Sequence, residues 1–187
     1  MKLSSMIGGV VTVTGVALAW LAVYNLNSLL FSELELTEKA SWIFLPAALR
    51  IIFVLLFNKL GALGLVVGAY LTIQGSSDAS IWHDMLVALS SGLSPWLAIL
   101  FMRRLLGINT DLAGLRGAHI LSLSIACAAT NSVILNTTLI LINDPAPALT
   151  QVVTIFVGDV LGAAIVLAVL AAALHVIERL GLVRSPQ

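Results

Sequence analysis

Charge is the scarcest property of this sequence. Of 187 residues, 9 are Lys or Arg and 9 are Asp or Glu, 10% in all, where a soluble domain carries about a quarter. The two signs cancel to a formal net charge of zero. The chain therefore has neither a basic field for nucleic acid nor an acidic tail for basic partners, and no nucleic-acid partner is expected. Cysteine is nearly absent too. The one thiol, Cys127, lies in an apolar stretch with no second cysteine, which excludes a disulfide framework and a cysteine metal cluster and leaves packing as its role. No nucleotide-binding motif occurs, and neither a metal nor a cofactor is expected.

What fills the sequence instead is hydrophobicity: 60% of residues, with a mean hydropathy of +1.09. This composition predicts an all-α integral membrane protein, a polytopic helical bundle forming a single transmembrane domain over 1–187. A crossing helix needs about 20 mostly apolar residues. Proline, glycine and charge punctuate the chain into six such spans, near 7–31, 41–57, 60–74, 82–102, 117–143 and 148–177. The first could be taken for a secretory signal, with Lys2 before it and "ALA" at Ala17 to Ala19 resembling a cleavage site. The apolar run continues through Leu21, Val23, Leu29 and Leu30, so it reads as a retained span. Between the second and third, "NKLGALG" leaves room only for a tight helical hairpin.

Charge placement sets the expected orientation. With the amino terminus inside, Lys2, Lys59, Arg103, Arg104, Arg116, Arg179 and Arg184 all fall on the cytoplasmic side and only Lys39 falls outside. The outer loops carry Glu33, Glu35, Glu38, Asp78 and Asp144. Both termini are therefore expected inside. Small residues four apart predict where helices touch, because close backbone approach supplies packing energy within lipid: Gly64 with Gly68, Ser90 with Ser94, Gly158 with Gly162. Pro46 and Pro95 are expected to kink their helices.

Two formal charges are expected deep in the spans, Arg50 and Asp159. At about 1.5 Å of rise per residue, Arg50 lies roughly 12 to 14 Å below the outer surface, counted from Ser41 or Trp42, and Asp159 roughly 17 Å below it, counted from Ala148. Asn131 falls at roughly 18 Å by the same count. Asn25, Asn27, Tyr70, Thr72, Gln74, Asn136, Thr137 and Thr138 fall nearer the outer face. Arg50, Asn131 and Asp159 thus form one polar layer with two readings: a pocket that binds a small ligand or moves a proton, or a buried ion pair that ties two helices together.

Catalysis is not expected. Intramembrane aspartyl proteolysis needs two carboxylates sharing a proton, yet "FVGD" has Phe156 in the place of the first glycine of Gly-x-Gly-Asp, and no second acid is expected within a span. Ser90, Ser91 and Ser94 lie in the membrane while His83 lies at its rim, so no nucleophilic pair is expected. His119 and His175 both fall on the inner side, where they would either clamp a haem iron or meet water and headgroups at the interface.

The order of these features resembles the bacterial membrane-associated sensor domains of MASE type, over about residues 42–177. The resemblance lies in Trp42 and Pro46 of "WIFLPAALR", the hairpin "LFNKLGALGLVVGAYL", the paired arginines of "LAILFMRRLLGI", and "FVGDVLGAAIVLAVL". Gly158, Asp159 and Gly162 occupy its Gly-Asp-x-x-Gly. Three residues separate Trp42 from Pro46, Leu49 stands where the family has glycine, and Arg50 is added. The resemblance implies a multi-pass protein of the bacterial inner membrane that senses a small ligand or a membrane partner. Since "ERLGLVRSPQ" carries no output domain, it would act through a separate protein partner or a second copy of itself. Two other classes match the same features: the substrate-binding membrane subunit of an energy-coupling-factor vitamin transporter, and an assembly scaffold that uses only its packing faces.

Overall fold

The computed structural model describes residues 2–37, 40–74, 80–108, 116–142 and 149–180. Six helices dominate it: α1 (Lys2–Phe31), α2 (Pro46–Phe57), α3 (Lys59–Ile73), α4 (Ile81–Leu106), α5 (Gly117–Leu141) and α6 (Leu149–Arg179). A short 3-10 turn (Ser32–Leu34) and a two-stranded antiparallel hairpin, β1 (Glu35–Thr37) with β2 (Ala40–Ser41), connect α1 to α2. Of the charges placed by the positive-inside argument, Lys39, Glu38, Asp78, Asp144 and Arg184 lie outside the described residues, as does the side chain of Lys2.

Local chemistry accounts for the helix ends. Ser80 caps α4 by accepting the N–H of His83 at 3.3 Å, satisfying one of the orphan donors of a first turn. Gly107, at φ 64°, closes the other end, where few side chains but glycine's adopt that conformation at little cost. At the start of α5, Arg116 and His119 cap reciprocally, the Arg116 N–H donating to His119 Nδ1 at 3.2 Å. His119 therefore caps a helix through Nδ1 and is partly exposed, and His175 is exposed.

Helices α1, α4, α5 and α6 are long and apolar enough to cross a membrane. The two between α1 and α4 are not. With 12 and 15 residues, α2 and α3 rise roughly 18 and 22 Å, short of a hydrocarbon core of roughly 30 Å. The expectation of a helix across 41–57 is corrected by Pro46. Lacking an N–H, it opens α2 as an N-terminal residue instead of kinking a longer helix, and residues 41–45 precede it outside the helix. Pro95 lies within α4.

A single residue, Asn58 at φ 50°, turns α2 into α3. Its Oδ1 accepts the indole N–H of Trp96 at 2.8 Å, and Gly61 lets the new helix begin against the Phe53 carbonyl. Helix α3 then runs parallel to α1: Gly64 meets Val16 and Gly68 meets Trp20. Against α4 it runs antiparallel, with Val66 meeting Gly92 and Asn58 meeting Trp96. Helix α2 touches all five other helices, so a side chain one turn into it sits at the centre of the bundle. That side chain is Arg50.

The third small-residue pair does something different. Gly158 and Gly162 lie against the carbonyls of Ser41 and Phe44, the extended segment between β2 and α2. This corrects the expectation of a helix–helix seam. The segment is held by backbone bonds to its neighbours: Phe44 N–H donates to Gly158 O at 3.1 Å, and Leu45 N–H to Asn27 Oδ1 at 2.8 Å.

Candidate functional site

Arg50 and Asp159 are each only 4% exposed and form an ion pair at 2.7 Å, Nη1 to Oδ2. The same carboxylate oxygen accepts Nδ2 of Asn131 at 2.7 Å. Asn131 Oδ1 in turn accepts the hydroxyl of Ser94 at 3.1 Å, while Arg50 Nη2 donates to Ser91 Oγ at 3.0 Å. The chain of bonds leaves α4 at Ser91, passes through α2, α6 and α5, and returns to α4 at Ser94. Sequence depth had placed Arg50, Asn131 and Asp159 in one layer, and the fold brings these three into direct contact.

Two neighbouring aromatic rings pack beside the guanidinium. Its central carbon lies 5.3 Å from the Trp20 ring centroid and 5.2 Å from that of Phe44, within the range of a cation–π attraction that strengthens where water is excluded. The Trp20 indole also contacts α3, donating to Thr72 Oγ1 at 3.4 Å. Groups from α1, the segment before α2, α4 and α6 thus meet one arginine. Its Nε has no hydrogen-bond partner among the described residues, and Asp159 Oδ1 accepts none among them.

Above this polar floor is a cavity of about 110 Å³. Trp20, Tyr24 and Phe44 line it from α1 and the extended segment, and Val87, Leu135 and Ile155 from α4, α5 and α6. Ser28, Glu35 and Thr37, all exposed, mark its mouth. A water needs roughly 10 to 15 Å³ on this measure, so the space takes roughly seven to eleven water-sized positions. That suffices for a small organic molecule.

Sequence reasoning missed the aromatic side chains. Trp20, Tyr24 and Phe44 stand in long apolar runs, where nothing separates a ring packed in the core from one against a cation. It also missed Asp84, which is 3% exposed in the first turn of α4, with His83 Nδ1 3.2 Å from its Oδ1. The expectation that no other acid lies within a span is corrected accordingly. The positive end of the α4 dipole favours a carboxylate there, and the acid-after-histidine pair opening an apolar run was the available signal.

Other expected positions divide between site and scaffold. Ser94 crosses to α5, but Ser90 bonds back to Leu86 and Val87 carbonyls of its own helix. Asn27 secures the extended segment, whereas Asn25 and Thr138 satisfy carbonyls of their own helices, as does Asn136 Nδ2 with Ser132 O. Gln74 donates to the Tyr70 hydroxyl one turn before it at 2.7 Å. Cys127 is buried near Pro95 O. No cluster of three or more metal-ligating side chains occurs among the described residues.

Compared with known proteins, the chain matches no family model, no curated protein and no solved structure. The functional reading rests on the cavity.

Proposed function

We propose that this protein is a membrane recognition module that takes a small ligand into the cavity above Arg50, Asn131 and Asp159 and acts through a separate protein, in the manner of the sensor domains its sequence resembles. It is a binding protein in this reading, not an enzyme. The observation that carries it is the cavity itself: a largely apolar cleft, open at one mouth and ending on a few polar groups, is the usual form of a small-molecule site.

In this reading the chain crosses the bacterial inner membrane six times with both termini inside. The two short helices are compatible with that count. Residues 41–45 add non-helical backbone ahead of α2, which itself rises roughly 18 Å of a hydrocarbon core of roughly 30 Å. Non-helical backbone at membrane depth is tolerated where protein buries it or a cavity adjoins it, and the Gly158 carbonyl and Asn27 supply the bonds here. A second reading, the substrate-binding subunit of an energy-coupling-factor transporter, draws on the same broken crossing, since discontinuous spans beside a midplane site are how many transporters hold substrate.

Native mass spectrometry in mild detergent tests the proposal, run on the wild type and on R50Q/D159N. The expected result is a bound small molecule on the wild type that is absent from the double variant while its helical circular dichroism is unchanged. Clean masses on two equally folded proteins would overturn the proposal and leave a scaffold whose ion pair is structural.

A further inference from the structure

The charge balance of the cavity floor specifies what it accepts, given the recognition reading above, on which this inference rests. Arg50 and Asp159 already neutralise each other at 2.7 Å. A ligand carboxylate would compete with Asp159 for the guanidinium, and a ligand ammonium would compete with Arg50 for the carboxylate. Either would leave one buried charge unpaired, and breaking a buried pair from one side is strongly unfavourable. A ligand without net charge leaves the pair intact.

The floor still has hydrogen-bonding capacity of both kinds. Asp159 Oδ1 accepts nothing among the described residues. Ser91 Oγ accepts from Arg50, and its own proton has no acceptor among them. Arg50 Nε, also without a partner among the described residues, is fully buried, which leaves one acceptor and one donor, on side chains 4% and 8% exposed, to match a group that both donates and accepts, such as a primary amide. Above it, aromatic side chains from α1 and the extended segment and aliphatic ones from α4, α5 and α6 line the walls. Such walls favour a flat apolar body, and the volume limits it to roughly ten non-hydrogen atoms.

We infer that the cavity selects an uncharged, flat molecule of about this size, bearing an amide-like donor and acceptor that meets Ser91 and Asp159 beside an undisturbed arginine–aspartate pair. The exposed acid at the mouth, Glu35, lies outside this floor and does not alter its balance.

Three probes of one shape and different charge test it: benzamide, benzoate and benzylammonium, each titrated by calorimetry into the full-length protein in detergent. Benzamide is expected to bind at least about tenfold more tightly than either ion. Ser28→Trp, a change at the exposed rim, is expected to abolish that binding with thermal unfolding unchanged. Ser91→Ala is expected to weaken benzamide about tenfold, the scale of one lost hydrogen bond, and to leave toluene binding unchanged. Benzoate or benzylammonium binding as tightly as benzamide would overturn the inference, as would no benzamide binding at all. If a charged molecule is nonetheless recovered by native mass spectrometry and lost in R50Q/D159N, only the ligand class fails; if nothing is recovered either, the recognition reading fails with it.

Discussion

The pairs Gly64 with Gly68 and Gly158 with Gly162 look alike in the sequence and serve unlike contacts in the fold. In α3 the pair admits another helix. A Cβ on Gly64 would lie 2.5 Å from Val16 Cβ, and one on Gly68 would lie 2.8 Å from Trp20 Cβ, so α1 and α3 meet closely through side chains. In α6 the pair admits extended backbone, with the Ser41 and Phe44 carbonyls where methyl groups would otherwise project. The first contact is apolar at Val16, and at Trp20 it backs a ring that also lines the cavity. The second positions a non-helical segment, and through it the start of α2, Arg50 and a wall of the cavity. Small-residue spacing therefore reports that something comes close, and the nature of the neighbour decides whether the contact is only structural.

The sharpest break in this comparison is at the ion pair that the second contact positions. Arg50→Gln alone strands the Asp159 carboxylate in a buried site and is expected to destabilise the protein by about 3 to 5 kcal/mol. Adding Asp159→Asn should restore most of that loss, because two neutral groups can still bond to each other. Thermal unfolding in detergent, followed by circular dichroism, measures both. A double variant no more stable than the single one would show that the layer holds the fold through something other than its charges.

Next in size is Gly158→Ala. The added methyl would collide with the Ser41 carbonyl, a backbone atom that cannot turn aside, and displacing the segment would break the bond from Phe44 N–H to Gly158 O. Overpacking and a lost buried bond together are expected to cost about 3 kcal/mol and to reduce occupancy of the cavity. Gly64→Ala is the matched change on the other side, against Val16, which does not line the cavity. It is expected to cost about 2 kcal/mol as α1 shifts to make room, with ligand recovery in native mass spectrometry unchanged. Equal loss of ligand in the two variants would erase the distinction between the contacts.

Much of this arrangement was legible in the sequence, and the exceptions have a common physical cause. Uncharged runs and their punctuation locate α3, α5 and α6 to within two residues of their observed ends, because helix formation in an apolar run is a local matter. The polar layer was legible because so few polar groups occupy apolar stretches. The depth count that grouped it, however, took Ser41 as a surface residue, whereas Ser41 is buried against α6. Counting upward through residues 41–45 as helix assumed the wrong rise for that segment. What the glycines of α6 receive, which rings flank Arg50, and that Asp84 is buried all depend on neighbours distant in the chain, and no local pattern carries that information.

The smallest expected effect is at Asn27 of α1, whose side chain bonds directly to the backbone of the segment before α2. Asn27→Ala removes the acceptor for Leu45 N–H, and a buried donor left without a partner costs about 1 to 3 kcal/mol. The low end, about 1 kcal/mol, is expected because Asn27 lines the cavity, so water there can take the vacated bond at little loss. Asn27→Asp keeps an oxygen in place and should restore the bond, separating loss of the acceptor from loss of side-chain bulk. Hydrogen exchange at the Leu45 amide is the decisive readout: faster exchange in the alanine variant, restored protection in the aspartate variant, and no change at the α1–α3 contact. Faster exchange along α3 as well would mean that the two contacts form one cooperative unit and that the segment does not open by itself.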